Sequence, residues 1–365
     1  MLVPGVVREI KPEDLIEMRF MRDVTVKAAP SNTPSIRWRG RKIMKQEKQL
    51  PSVKVIATGG TIANTPSGRL HAAEVAEVIP ELKDVARIEI EEIFRVGSSD
   101  ITPDRWLIIA KRINELASEK DIKGFVVTHG SNTLEETAYF LHLVVKTEKP
   151  VILTAAQRQF STLSSDSPKN FFDAVRVAAS GDAAGKGVMT VVNDEINCAR
   201  DVTKRMSYRL QTYTSPDVGV LGFVDLNRVT FYRLPFRKHT GFSEFDVRTL
   251  EMLPRVDIIY TASGTDGILI DAAVQQAKSD GLVIAVSPTG APAPGMKEAL
   301  HRAARAGIPV VYANRGGHDR LRTMLPEEPF IAGDNLNPQK ARILLMLALT
   351  GTKDFAKIQR MFDEH

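Results

Sequence analysis

An α/β fold built on a doubly wound parallel sheet is predicted by three features of the chain. The stretch Val53 to Ala63 opens with an apolar run of Val53, Val55, Ile56 and Ala57, as in a strand buried on both faces. It then turns sharply at Thr58-Gly59-Gly60-Thr61. The stretch Phe125 to Leu141 repeats the design, a β-rich run closing in a hydroxyl-flanked glycine turn, with a helix after it. Strand and helix then alternate from Val53 to about Tyr232, and a second α/β unit follows. The C-terminal ends of such strands are where open α/β sheets bind ligands.

Each element follows in order. After the first turn, Ala73 to Ile79 is expected as helix and Ile88 to Phe94 as a strand closing in Gly97-Ser98-Ser99-Asp100. Thr102-Pro103-Asp104 reads as a helix start, with Thr102 as N-cap and Pro103 at the first helical position. Asn132 or Thr133 is placed to cap the helix after the second turn, whose positive first turn suits Glu135 and Glu136. Further strands are expected at Val151 to Thr154 and Gly187 to Asn193. In the second unit they fall near Val256–Tyr260, Val283–Val286 and Pro309–Tyr312, with a final helix from about Pro338 to Leu349. The expected organisation is a basic extension over 1–50, a catalytic α/β domain over 51–232, a connector over 233–254 and an α/β domain over 255–365.

Composition sets outer limits. The 365 residues suggest two domains, and 43% apolar residues suffice for a sizeable core. No apolar run reaches the roughly 18–20 residues that span a bilayer. Cys198 is the only cysteine, so no internal disulfide forms and a reducing compartment is permitted. Residues 1–50 hold eleven Lys/Arg against six Asp/Glu, a balance of +5 that equals the net charge of the whole chain. The basic character therefore belongs to the extension. Its dense run, Arg37 to Lys48, reads as a solvated arm packing across a neighbouring subunit in preference to a contact with nucleic acid or membrane. The segment lacks the continuous apolar region and small-residue cleavage site of a secretory signal, which points to the cytoplasm.

Nucleophilic catalysis needs a nucleophile, a proton acceptor and donors for the developing negative charge. Thr61 and Ser131 place hydroxyls at two strand ends, beside Gly60 and Gly130, which let the backbone approach a ligand closely. Lys204 serves as a base once burial or a neighbouring cation lowers its pKa. The seven histidines show no clustered ligand spacing, and Gly59-Gly60 matches no nucleotide-binding pattern, so neither metal use nor nucleotide binding is expected.

T-G-G-T-I-A and T-H-G-S-N-T-L-E-E-T-A-Y-F-L resemble the two signature blocks of the bacterial L-asparaginase/glutaminase family. The resemblance continues through Asn193 to Lys204, Arg237 to Thr240 and Leu336 to Thr350, and so covers roughly Val53 to the C-terminus. The fold prediction rests on these blocks. The resemblance implies a larger N-terminal domain, a smaller C-terminal domain and no cofactor. It also implies a homotetramer whose active sites are shared between subunits. It puts Thr61 on the primary nucleophile, Ser131 on the second catalytic threonine and Lys204 on the triad lysine, with Asn132 orienting them.

Three positions depart from the family. Asn132 stands where the family has the aspartate that orients the lysine and grips the substrate α-ammonium. Ser98 keeps the hydroxyl that contacts the substrate carboxylate, but Ser99 replaces the glutamine near the ammonium. The loop Asn64 to His71 is short and holds no tyrosine to activate the nucleophile, leaving Thr65, Ser67 or His71 for that part. An asparagine cannot offset a buried ammonium. The expected activity is therefore hydrolysis of a small amide lacking a free α-ammonium: an N-acylated, non-amino-acid or cyclic amide. The alternatives are an L-asparaginase/glutaminase whose ammonium site is rebuilt, with Ser263 and Asp266 near the segment a neighbouring subunit contributes, and a catalytically silent ligand-binding homologue.

Overall fold

The computed structural model describes residues 49–321 and 328–365. The basic extension therefore lies outside the described residues, apart from Gln49 and Leu50. The chain opens with β1 (Ser52–Gly59) and a hairpin, β2 (Asn64–Thr65) and β3 (Gly68–Arg69), followed by α1 (Ala72–Glu77). Next come β4 (Arg87–Val96), α2 (Pro103–Leu116), β5 (Ile122–Thr128), α3 (Leu134–Val144), β6 (Val151–Thr154) and α4 (Ser167–Ala179). The larger domain closes with β7 (Val188–Val192), β8 (Glu195–Cys198), the hairpin β9 (Thr203–Lys204) and β10 (Tyr213–Thr214), then β11 (Gly222–Val224) and β12 (Val229–Phe231). The smaller domain contains β13 (Val256–Tyr260), α5 (Ile268–Gln275), β14 (Gly281–Val286), α6 (Lys297–Arg305) and β15 (Val310–Asn314). It ends with β16 (Ile331–Ala332), α7 (Pro338–Ala348) and α8 (Phe355–Glu364).

The large sheet has the order β12-β11-β8-β7-β6-β5-β1-β4. From β4 to β7 it is parallel, and its far side turns antiparallel. Helices cover both faces. Residues of α2, α3 and α7 share one core, in which Trp106 stacks on Phe140 at 5.5 Å. Residues of α1 and α4 build the other. A Cβ on Gly124 would lie 2.2 Å from the Ala178 carbonyl oxygen, so a side chain there would push α4 off β5. The second sheet, β13-β14-β15-β16, is wholly parallel, with α5 and α6 packed on one face and α7 on the other.

Two local expectations need correction. Pro338 to Ala348 is not the last helix. Asp354 accepts a hydrogen bond from the Lys357 amide and starts α8, which buries Ile358 and Phe362 one helical turn apart. Thr102 and Thr133 hold the N-cap positions of α2 and α3 as expected, but neither side chain makes the capping bond, and the Thr133 hydroxyl donates to the Ser98 carbonyl instead. Among the described residues no helix is long and apolar enough to cross a membrane.

Candidate active site

The chain leaves β1 for β4 on one side and returns to β5 on the other. The ends of β1 thus mark a topological switch point, where an open α/β sheet leaves a crevice. Register fixes the three ends side by side: Ala57 pairs with Thr128, and Gly59 with Val96. The Thr58 hydroxyl donates to the Thr128 carbonyl at 2.7 Å, tying the β1 and β5 turns together.

Glycine makes the three turns touch. Gly59 and Gly60 adopt φ of 98° and 88°, a region costly for any residue with a Cβ. A Cβ on Gly60 would lie 2.3 Å from the Gly130 amide nitrogen, and one on Gly130 would lie 2.8 Å from the Ser98 Cβ. Gly60, Gly130 and Ser98 therefore stack in a row. Ser98 is buried and stitches the turns: its hydroxyl accepts from the Asn132 amide at 3.2 Å, and its carbonyl accepts from the Thr133 hydroxyl at 2.7 Å. Ser99, its neighbour, faces solvent.

Ser131 is buried at the end of the second turn, and Lys204 reaches it from β9. The Lys204 Nζ donates to the Ser131 Oγ at 2.7 Å and to the Asn132 Oδ1 at 2.9 Å. Desolvation lowers the Lys204 pKa below the ordinary lysine range, with the Glu135 carboxylate acting in the opposite sense. A lysine hydrogen-bonded to a serine hydroxyl and stripped of part of its water is suited to take that hydroxyl's proton. Thr61 opens the turn Thr61–Ala63 one residue beyond Gly60 and is half-buried.

Other predicted residues lie elsewhere. Thr65 bonds Ser67 and the Gly68 carbonyl within the β2–β3 hairpin. His71 lies against Glu92 and Arg95 and caps α1 with Glu74. Ser263 and Asp266 are exposed on the loop after β13, where Asp266 accepts from the Ile268 amide. His129 is fully buried. Its Nε2 accepts from the Thr137 hydroxyl and its Nδ1 donates to the Gly130 carbonyl, and burial pushes its pKa down to about 4. A neutral imidazole therefore fixes the Gly130 turn. Among the described residues no group of three or more His, Cys, Asp and Glu is placed to hold a metal ion.

Three contacts had no signal in the sequence. The Tyr213 hydroxyl, opposite Lys204 in its hairpin, donates to the Ser131 carbonyl at 2.5 Å. The Glu135 carboxylate accepts from the Lys204 amide at 3.2 Å and from Gln339 of α7 at 3.1 Å. These partners are up to 204 positions apart in the chain, so only the fold joins them.

Two family profiles match, described as "Asparaginase, N-terminal" over residues 52–237 and "Glutaminase/Asparaginase C-terminal domain" over 255–362. L-asparaginase 2 of Bacillus subtilis is 40% identical over 332 residues, covering 88% of each chain. L-asparaginase 2 of Escherichia coli is 38% identical over 329 residues, covering 87% of this chain and 94% of its own. The crystal structure of a probable cytoplasmic L-asparaginase from Campylobacter jejuni superposes with a TM-score of 0.83 at 38% identity, covering 86% of this chain and all of that one.

Proposed function

The chain belongs to the asparaginase/glutaminase family of amidohydrolases, which act on C–N bonds, and within it we propose an enzyme for amides lacking a free α-ammonium. The observation that carries this reading is the partner of Lys204: Asn132 offers an amide oxygen at 2.9 Å, where a carboxylate would supply a charge. Ser99 adds no charge and faces solvent. A substrate ammonium in this crevice loses water and gains no counter-charge from these positions, so it binds poorly.

In this reading Thr61 attacks the amide carbon, and the carbonyl π electrons move to oxygen. The intermediate collapses to an ester on Thr61, and the leaving nitrogen departs with a proton as ammonia or an amine. Neutral Lys204 draws the proton of Ser131, and this pair serves as base and relay for the attack, for the hydrolysis of the ester by water, or for both. Gly60, Gly130 and Ser98 shape the floor on which the substrate lies, and Asn132 holds Lys204 in line. A cytoplasmic enzyme fits the one thiol, Cys198, which is buried, bonded to no other cysteine and pushed up to about 12.

We further infer a homotetramer with shared sites. Ile268 and Leu269, just after Asp266, are 69% and 64% exposed, apolar surface that a second copy would cover. The same contact favours a second reading: Asp266 of the partner subunit would restore the missing charge, giving an L-asparaginase like the relatives named above.

The test is product release from a panel holding L-asparagine, L-glutamine, their D-forms, N-acylated versions, dicarboxylic monoamides and cyclic amides. Turnover restricted to substrates without an α-ammonium is the expected result. Fast turnover of free L-asparagine overturns it in favour of the second reading. Silence throughout, with ligand-dependent thermal stabilisation, would mean a binding protein.

A further inference from the structure

We propose that Glu135 is the positioning residue of Lys204 and the balancing charge of the site, clamped in place by the first turn of α7. The inference rests on Lys204 being the base of the proposed reaction. Its grounds are geometric. Glu135 is 5% exposed, and its two carboxylate oxygens are divided between the Lys204 amide at 3.2 Å and the Gln339 side-chain amide at 3.1 Å. The residue whose side chain reaches Ser131 and Asn132 is thus fixed at its backbone by a buried anion.

The next residue of α7 holds the approach to Lys204. Lys340 is 2% exposed, and its Nζ donates to the Arg200 carbonyl at 2.7 Å and the Val202 carbonyl at 2.5 Å. The turn itself is pinned, since the Asn337 side chain accepts from the Lys340 amide at 3.0 Å and Pro338 fills the first helical position. One turn from the smaller domain therefore grips both the loop leading into Lys204 and the carboxylate bound to its backbone.

The surrounding charges leave Glu135 as the anion that bears on Lys204. Lys340 of α7 and Arg200 on the approach are cations, and Asp201 is paired with Arg200 at 3.2 Å. Tyr213 on β10 is neutral, burial holding its phenol well above the usual range. Asp166, before α4, accepts from the backbone amides of Gln157 and Arg158. Glu136, beside Glu135, is raised to about 7 by burial and by Glu135 itself. Arg342 of α7 lies near Glu136. Glu135 meets the backbone of Lys204, not its ammonium, and its charge acts on that ammonium through space, opposing the effect of desolvation.

The experiment reads Lys204 directly. The full-length protein is labelled with a trace of acetic anhydride across a pH series, and the extent of Lys204 acetylation is measured by mass spectrometry. Glu135→Gln keeps the shape and an acceptor for the Lys204 amide but removes the charge. The expected result is a fall of about one pH unit in the midpoint of Lys204 labelling. The acid limb of kcat/KM on the best substrate moves the same way. Gln339→Leu, which removes the donor that aims Glu135, gives a smaller fall in the same direction and serves if Glu135→Gln fails to fold. An unchanged midpoint in the folded variants overturns the inference. Full activity of Lys204→Met instead overturns the base reading, while the labelling result still decides the role of Glu135.

Discussion

The two halves of the candidate site are built differently. Around Ser131 the chemistry is closed within one chain: a buried hydroxyl, a half-buried lysine, and backbone contacts from Tyr213 and Glu135. Around Thr61 the glycine turn is just as tightly packed, but the hydroxyl is only half-buried. The hairpin beyond it spends its own polar groups internally or on Arg95 and Glu92. Proton transfer depends on exact partners within hydrogen-bond reach, and the first half has them in place. In the proposed reading the second half holds the nucleophile, Thr61, while Thr65 bonds Ser67 and the Gly68 carbonyl and His71 bonds Glu92 and Arg95.

The sharpest way to break this comparison is to remove one group from each half. Thr61→Ala and Lys204→Met are each expected to cut kcat on the best substrate by about a thousandfold or more. Loss only in Thr61→Ala would mean that the Ser131 half is scaffolding. In the wild type the rate should rise with pH as Lys204 loses its proton, with a midpoint below the ordinary lysine range, as its lowered pKa requires. Lys204→Met abolishes that limb.

Gly60→Ala tests whether the close packing of the turns is needed for the fold. The added Cβ meets backbone at 2.3 Å in a positive-φ conformation. A loss of about 3 kcal/mol or more in denaturant unfolding is expected. Asn132→Asp restores a carboxylate beside Lys204. It should raise kcat/KM for free L-asparagine about tenfold to a hundredfold, as a charge-assisted contact of about 1.5–3 kcal/mol would. No gain would count against the role given to Asn132.

Smaller effects separate structural from chemical groups. Lys340 is held to about 8 in the folded protein against 10.5 for a free lysine. Between those values the unfolded chain binds the extra proton, so this residue makes stability rise with pH across that window. Lys340→Met should flatten that rise in urea titrations while lowering stability throughout, because two buried carbonyls lose their donor. His71→Ala should change kcat by less than about threefold, since its partners are exposed surface groups. A larger fall would return His71 to the part of activator.

The sequence by itself determined the fold class and the chemical inventory. Apolar runs and glycine-hydroxyl turns located the strands and the turns that close them, because period and turn chemistry are local properties of a chain. Strands were legible where most of their residues are buried, as at β1 and β5, and α8 was missed although Ile358 and Phe362 carry its helical spacing. Only the tertiary structure decided what each hydroxyl and charge does. It tied the hydroxyl of the cap residue Thr133 to Ser98 and made His129 a neutral prop for Gly130. It also brought Glu135, Gln339 and Lys340 to the backbone around Lys204. Such contacts join residues far apart in sequence, and a side chain's protonation depends on the burial and neighbours that folding alone supplies.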